Sequence, residues 1–313
     1  MADKIHAVRG FLNFVFPLVM CGLLASPAWS QASSLRVGYV PNADFVPLFV
    51  AKEKGVFDKF GLGVTLESVV NQHNVPAGLT SGSIDLGPMA VPTFLLAAAN
   101  GVDIVAVAGY LRNRASDSQA SLMVREGLSF TGSASLVGKR VGMPGLKSSF
   151  DVHFRIWLLN NKIPVESVNL VEVNFPLMSG MLKTSRIDAA IAVEPFRSEI
   201  VRSGSGRIAA DFMGEVSKDD AGLIWVSTRE WAQAHAKNLL KTFIIGMKQG
   251  IADVTADPGG AQAVEKRYLK FASPLSDVYD FSLTHADLKF YEDMMLRVGF
   301  LEKATDPRTL MVP

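Results

Sequence analysis

The 313-residue chain is long enough to bury a sizeable core in roughly one to three domains, and with 49% hydrophobic and 19% charged residues it is not a largely disordered protein. Lys and Arg total 31 against 30 Asp and Glu, and the basic residues are scattered, so no basic field marks a nucleic-acid partner. Mean hydropathy is positive, yet the apolar residues are dispersed except at the very start.

Residues 1–10 carry Lys4, His6 and Arg9, and the uncharged run FLNFVFPLVMCGLLA follows at 11–25. Ser30 and Ala32 then place small side chains at −3 and −1 of a cut after Ala32. This is the order of a secretory signal peptide over 1–32, which predicts export to the periplasm. The apolar run holds Asn13 and Pro17 and is shorter than the ~20 residues of a spanning helix, which argues against an uncleaved anchor. Cys21, the only cysteine, excludes an intramolecular disulfide. The residues before it resemble a lipoprotein box, but Met20 is bulkier than that site prefers, so lipidation is the lesser alternative. Export counts against enzymes that depend on cytosolic cofactors.

In the mature chain, LRVGYV at 35–40 alternates and predicts a first strand. Asp44 is placed to cap a helix over 45–54, which Gly55 ends. A second strand is expected at 64–68, then a loop at 71–74 and a helix ending near Gly82. A third strand is expected from 83 to 86, broken by Gly87-Pro88; an Ala-rich helix and a strand at 103–111 follow. A second alternating set predicts strands at 120–124, 139–143, 168–173 and 188–193, with helices at 149–160, 177–184 and 194–202. The last strand is expected at 223–227, with helix throughout from 228. Strands alternating with helices predict an α/β protein with mostly parallel sheets. The two sets predict two lobes, 33–124 with 226–313 and 125–225, with the chain crossing twice, near residues 124–130 and 220–226.

Five segments in order resemble one family. They are LRVGYVP at 35–41, AKEKGVFDKFGLGVTLE at 51–67, LTSGSIDLGPMAVP at 79–92, LVGKRVGMPGLKSSFDV at 136–152, and SGMLKTSRIDAAIAVEPF at 179–196. Together they resemble the periplasmic solute-binding proteins of nitrate, sulfonate and taurine ABC importers, which share a fold with thiamine-precursor-binding proteins. In the last block Thr184-Ser185 replaces the Ser-Gly pair of the family. The resemblance implies a type II periplasmic binding fold, two lobes joined by a two-strand hinge with a ligand held between them as they close. It is specific to fold and binding role and leaves the ligand open.

In open α/β sheets ligands sit beyond the carboxyl ends of the strands, so the loops there hold the candidates. In the first lobe these are Asn42, Asp44, Phe45, Gln72, His73, Met89, Ala90 and Arg112. In the second they are Ser148, Ser149, Phe150, Asn174 and Glu194. Ser148 and Ser149 offer hydroxyls and free N–H groups at a helix start that suit an oxyanion, or cap their own helix. Arg112 suits a bidentate clamp, or is a solvated surface residue, as does Arg114. His73 and His153 are placed to reach the cleft, though each has an ordinary loop or packing role as its alternative. Phe45, Phe150, Phe175 and Phe196 wall an apolar pocket or belong to the core. Asp44 and Glu194 require a cation or backbone donors beside an anion. No metal-ligand spacing and no cofactor motif is present, and neither is G-x-S-x-G, H-E-x-x-H or a P-loop.

The reading is a monomeric, non-catalytic receptor that takes a small organic anion, either an alkanesulfonate or taurine or an aromatic carboxylate, to a membrane permease. Its alternatives are a thiamine-precursor (pyrimidine) receptor, a sensor lobe that docks on a signalling receptor, and an enzyme of the same fold, which export disfavours.

Overall fold

Leu35 and Val37 are fully buried and Arg36 between them reaches solvent, so period-two alternation forms the first strand, β1 (Ser33–Tyr39). The computed structural model describes residues 33–114, 120–270, 272 and 278–312. The expected signal peptide, with Cys21, lies outside the described residues. After β1 come α1 (Val46–Glu53), a short α2 (Val56–Lys59) and β2 (Leu62–Ser68). Gly55 stands between the two helices at φ 62°, the left-handed turn that stops α1 where the sequence predicts. β2 runs parallel to β1 from Ser33↔Leu62 to Tyr39↔Ser68. Next are α3 (Val75–Thr80), β3 (Gly87–Ala90), α4 (Val91–Ala99) and β4 (Ile104–Asn113).

The third strand departs from expectation, because β3 contains Gly87 and Pro88 instead of ending at them. Pro88 stands in register with Trp225 of the neighbouring strand, while the parallel bridge to β1 is made earlier, at Leu86, and so asks nothing of Pro88.

The second set comprises β5 (Ser121–Arg125), β6 (Arg140–Met143), α5 (Ser149–Asn160), β7 (Asn169–Glu172) and α6 (Phe175–Lys183). It continues with β8 (Ala189–Ala192), α7 (Phe196–Arg202), β9 (Gly206–Ala210) and α8 (Phe212–Val216), and β10 (Asp220–Thr228) follows. The sequence reading did not anticipate β9 and α8. Gly206 has no room for a side chain, since a Cβ there would strike the Val124 carbonyl of β5.

The bridge between Val37 and Leu86 joins β1 and β2 to the run β3-β10-β4, giving the order β2-β1-β3-β10-β4. The other sheet has the order β7-β6-β8-β5-β9. The two orders are equivalent. In each, the fourth strand is antiparallel to its neighbours and is the first strand after a crossing from the other sheet: β5 after β4, and β10 after β9. The expected lobe bounds at 124 and 226 cut through β5 and β10, each of which lies whole within one sheet.

The tail contains α9 (Arg229–His235), α10 (Lys241–Ala256), α11 (Pro258–Leu269) and α12 (His285–Arg297). It is not helical throughout. Residues 278–281 lie along β4, where the Gly109 amide donates to Phe281 O (3.1 Å) and the Arg112 amide to Val278 O (3.0 Å). Leu310 O accepts from Ala106 at 2.8 Å. Gly109 has no side chain because a Cβ would collide with the carbonyl oxygens of Ser282 and Asp280. One apolar cluster, including Leu35, Phe45, Tyr110, Trp225 and Phe243, packs one face of the first sheet against α1 and α10. A second runs from Phe94 of the first set to Phe154 and Phe212 of the second, with Tyr291 of α12.

Candidate functional site

The predicted residues fall at the carboxyl ends of strands, but they do different work there. After β1, Asn42 donates from Nδ2 to the Asp44 carboxylate (2.9 Å), and its own Oδ1 is buried without a hydrogen-bond donor among the described residues. The Asp44 carbonyl accepts from the hydroxyls of Tyr110 (2.6 Å) and Tyr279 (3.2 Å), which fixes this loop to β4 and to the tail segment. Phe45 is not on an open wall. It is 1% exposed, stacked on Tyr110 at 5.6 Å and edge-on to Trp225 at 6.1 Å, because α1 turns it onto the sheet. Met89 is likewise fully buried.

After β2, Gln72 reaches the end of β3, where its Oε1 accepts the Ala90 amide at 2.6 Å. That bond fixes the amide with its NH2 pointing away from β3, a donor held in place at the strand ends. His73 is exposed on the same loop, and its backbone amide is taken by Asn71 Oδ1.

Arg112 is neither a free clamp nor a solvated surface residue. Its guanidinium bonds Asp219 Oδ1 (3.0 Å), the Asp219 carbonyl and Asp287 Oδ1 (2.9 Å), with only 12% of the side chain exposed. Asp287 caps α12 and also accepts from the Ala221 amide (3.1 Å), so Arg112 ties β4, the start of β10 and α12 together. Burial pushes the Asp287 carboxyl up, but bonds from Thr284 and Arg112 outweigh it and hold it below the usual carboxylate range.

Ser148 is the cap of α5. Its hydroxyl donates to Gly145 O (2.7 Å) and accepts the Asp151 amide (3.4 Å). The buried Asp151 carboxylate in turn accepts the Lys147 amide (2.7 Å) and the Arg155 guanidinium (2.6 Å), so a negative charge already occupies this helix start. Ser149 and Phe150 keep first-turn positions, half-buried. His153 does not line an open cleft but is fully buried, with Nδ1 at 2.7 Å from Ser149 O and Nε2 at 3.3 Å from Ser217 Oγ. These partners make Nδ1 the proton-bearing nitrogen, and burial pushes the imidazolium below its ordinary range against the pull of Asp220.

Sequence reasoning missed the network beside His153. Tyr291 donates to Asp220 Oδ2 (2.6 Å), and Asn113 Nδ2 lies 3.0 Å from the same oxygen and 2.8 Å from the Tyr291 hydroxyl. Burial, with Asp220 adding, raises the Tyr291 hydroxyl well above its ordinary range. No local pattern could pair Asn113 with Asp220, which is 107 positions away.

The second sheet's strand ends carry three rings. Phe150, Phe175 and Phe196 open the first turns after β6, β7 and β8 and are each partly exposed. Phe175 stacks on Phe196 at 5.3 Å with 6° between planes, and Phe150 meets Phe175 edge-on at 6.3 Å. Asn174, exposed before α6, makes no side-chain cap. Glu194, joined to Pro195 by a cis peptide, accepts from Arg197 Nε (2.8 Å) and the Ser198 amide (3.3 Å). Burial raises this carboxyl, but those donors hold it below its usual range. Arg197 also reaches Ser121 Oγ (3.2 Å) at the start of β5. The i,i+3 spacing from Glu194 was the available signal for Arg197.

Two α/β sheets of equivalent order, exchanged strands and loops gathered at the carboxyl ends make this a periplasmic binding protein fold. Over residues 29–248 the chain matches the NMT1-like family, and it belongs to that family. It is 25% identical over 223 residues to the nitrate/nitrite binding protein NrtA of Nostoc sp., covering 65% of this chain and 50% of that protein. The chain thus spans about half the length of that curated relative. The fold is that of the periplasmic aliphatic sulphonate binding protein SsuA from Escherichia coli (TM-score 0.77, 16% identity, 89% of this chain and 97% of that one). It is also that of the alkanesulfonate-binding protein SsuA from Xanthomonas axonopodis bound to MOPS (TM-score 0.70, 18% identity, 90% and 99%).

Proposed function

We propose that this chain is the exported, non-catalytic receptor of an ABC importer, working as a monomer in the periplasm. It captures a small organic anion, an alkanesulfonate or taurine or an aromatic carboxylate, between two lobes that close, and delivers it to a membrane permease. The carrying observation is the pair of equivalent sheets crossed twice by the chain, each with its loops at the carboxyl ends of its strands. With β5 and β10 kept whole, the lobes divide between β4 and β5 and between β9 and β10. Relatives named for nitrate and for sulfonates support an anion as cargo. The donor amide of Gln72 provides for one.

The test is a thermal-shift screen of the full chain against sulfonates, aromatic acids, nitrate and pyrimidines, followed by small-angle scattering with the best ligand. A ligand that binds the native state raises the melting temperature, and lobe closure shrinks the radius of gyration. A hit that is chemically consumed would overturn the non-catalytic part. A second reading, a thiamine-precursor pyrimidine as ligand, is favoured by the phenylalanine cluster, since a flat heterocycle stacks on such rings. A shift with pyrimidines and none with anions would establish it.

A further inference from the structure

The cations at the strand ends are not equivalent. Arg112 is held by two carboxylates, Asp219 and Asp287, and Arg114 shares Asp219 at 3.4 Å. Arg197 has one carboxylate, Glu194, which also accepts the Ser198 amide, and one neutral partner, Ser121. A guanidinium has five N–H donors in a flat fork. Nε is used on Glu194 and one Nη1 hydrogen on Ser121, so the other three hydrogens have no partner among the described residues. The side chain is 26% exposed, and its two bonds fix its direction.

Arg197 follows Phe196 directly, and Phe196 is stacked on Phe175, with Phe150 edge-on beyond. Leu146, in the loop before α5, and Leu177, in the first turn of α6, are exposed by 38% and 58%. Three strand-end loops of the second sheet therefore present apolar surface at the same sheet end at which Arg197 is held. The rings are partly buried, and covering their remaining exposed surface with something flat and apolar is favourable. A nitrate or short sulfonate would lose hydration against them and gain little in return.

We propose that Arg197 and the Phe150–Phe175–Phe196 cluster form the second sheet's half of the ligand site and select an organic monoanion with a flat apolar body, an arene carboxylate or arene sulfonate. The anionic head takes the free edge of Arg197 and the body lies on the rings. Glu194 is a positioning residue that keeps the guanidinium in place. This inference rests on the receptor reading above and narrows its substrate class.

Calorimetric titration of the full chain with benzoate, benzenesulfonate, methanesulfonate, nitrate and uncharged benzamide tests it. One of the two arene anions should bind at least about ten-fold tighter than methanesulfonate and nitrate. Arg197→Gln should weaken that binding by about ten-fold or more, the usual effect of losing a charge-assisted pair. Phe175→Leu should weaken arene anions several-fold and leave methanesulfonate unchanged, and it reads the ring half should Arg197→Gln fail to fold. Benzamide binding as tightly as benzoate overturns the role of Arg197. Tightest binding by nitrate or methanesulfonate, indifferent to both variants, overturns this inference and leaves the receptor reading standing. No binding of any of these anions overturns this inference and, with it, an anion as the receptor's cargo.

Discussion

Arg112→Met separates the two roles open to this residue. The substitution keeps the apolar stem and removes a guanidinium that bonds Asp219 and Asp287. Asp219 is 60% exposed on its side chain, so water replaces its lost partner and little stability goes with it. Asp287 is only 5% exposed and loses its ion-pair partner. It keeps the amide and hydroxyl of Thr284, at 2.9 and 2.6 Å, and the Ala221 amide at 3.1 Å. Those donors soften the loss, so the cost falls below that of a fully stranded buried charge, at about 2–3 kcal/mol. For a chain of this size that lowers the melting temperature by roughly 3–5 °C. The sign of the pH dependence follows from Asp287, whose carboxyl is held low in the folded state. Its contribution is complete above the ordinary carboxylate range and is lost as the pH falls through the lowered folded value. The gap between wild type and Arg112→Met is therefore widest at neutral pH and closes in acid. Paired thermal melts from pH 7 to pH 3, with titration of the best ligand at pH 7, measure both effects. Unchanged melting with affinity lost ten-fold would refute the structural role and return Arg112 to the ligand.

Buried His153 adds stability above about pH 6.5, the unfolded imidazole value, and this is lost as the pH falls towards its lowered folded value. His153→Gln should flatten the melting-temperature slope between pH 7 and pH 5; an identical slope in both proteins counts against this account. Ser148→Ala removes the cap of α5 and should cost about 1 kcal/mol in urea unfolding, with ligand affinity changed less than two-fold. An unchanged urea midpoint with weakened binding would reinstate Ser148 as a ligand contact.

The periodic elements were legible because their information is local. Leu35 and Val37 alternate, Gly55 stops a helix, and the helix expected over 149–160 is α5 itself. The five ordered segments carried the family in the same way. What failed was non-local. β3 runs through Gly87-Pro88 because β10, more than 130 positions later, supplies its partner, and residues 278–281 line β4 only where Gly109 leaves them room. The candidate site divides on the same principle. The sequence by itself determined which loops stand at the strand ends and which residue types they carry. Only the tertiary structure decided which side chains there are already engaged. Arg112 has Asp219 and Asp287, Ser148 has its own helix and Phe45 has the core, whereas Gln72 keeps a donor amide and Arg197 a donor edge. A side chain's availability depends on partners that folding brings from far along the chain, and no local pattern records them.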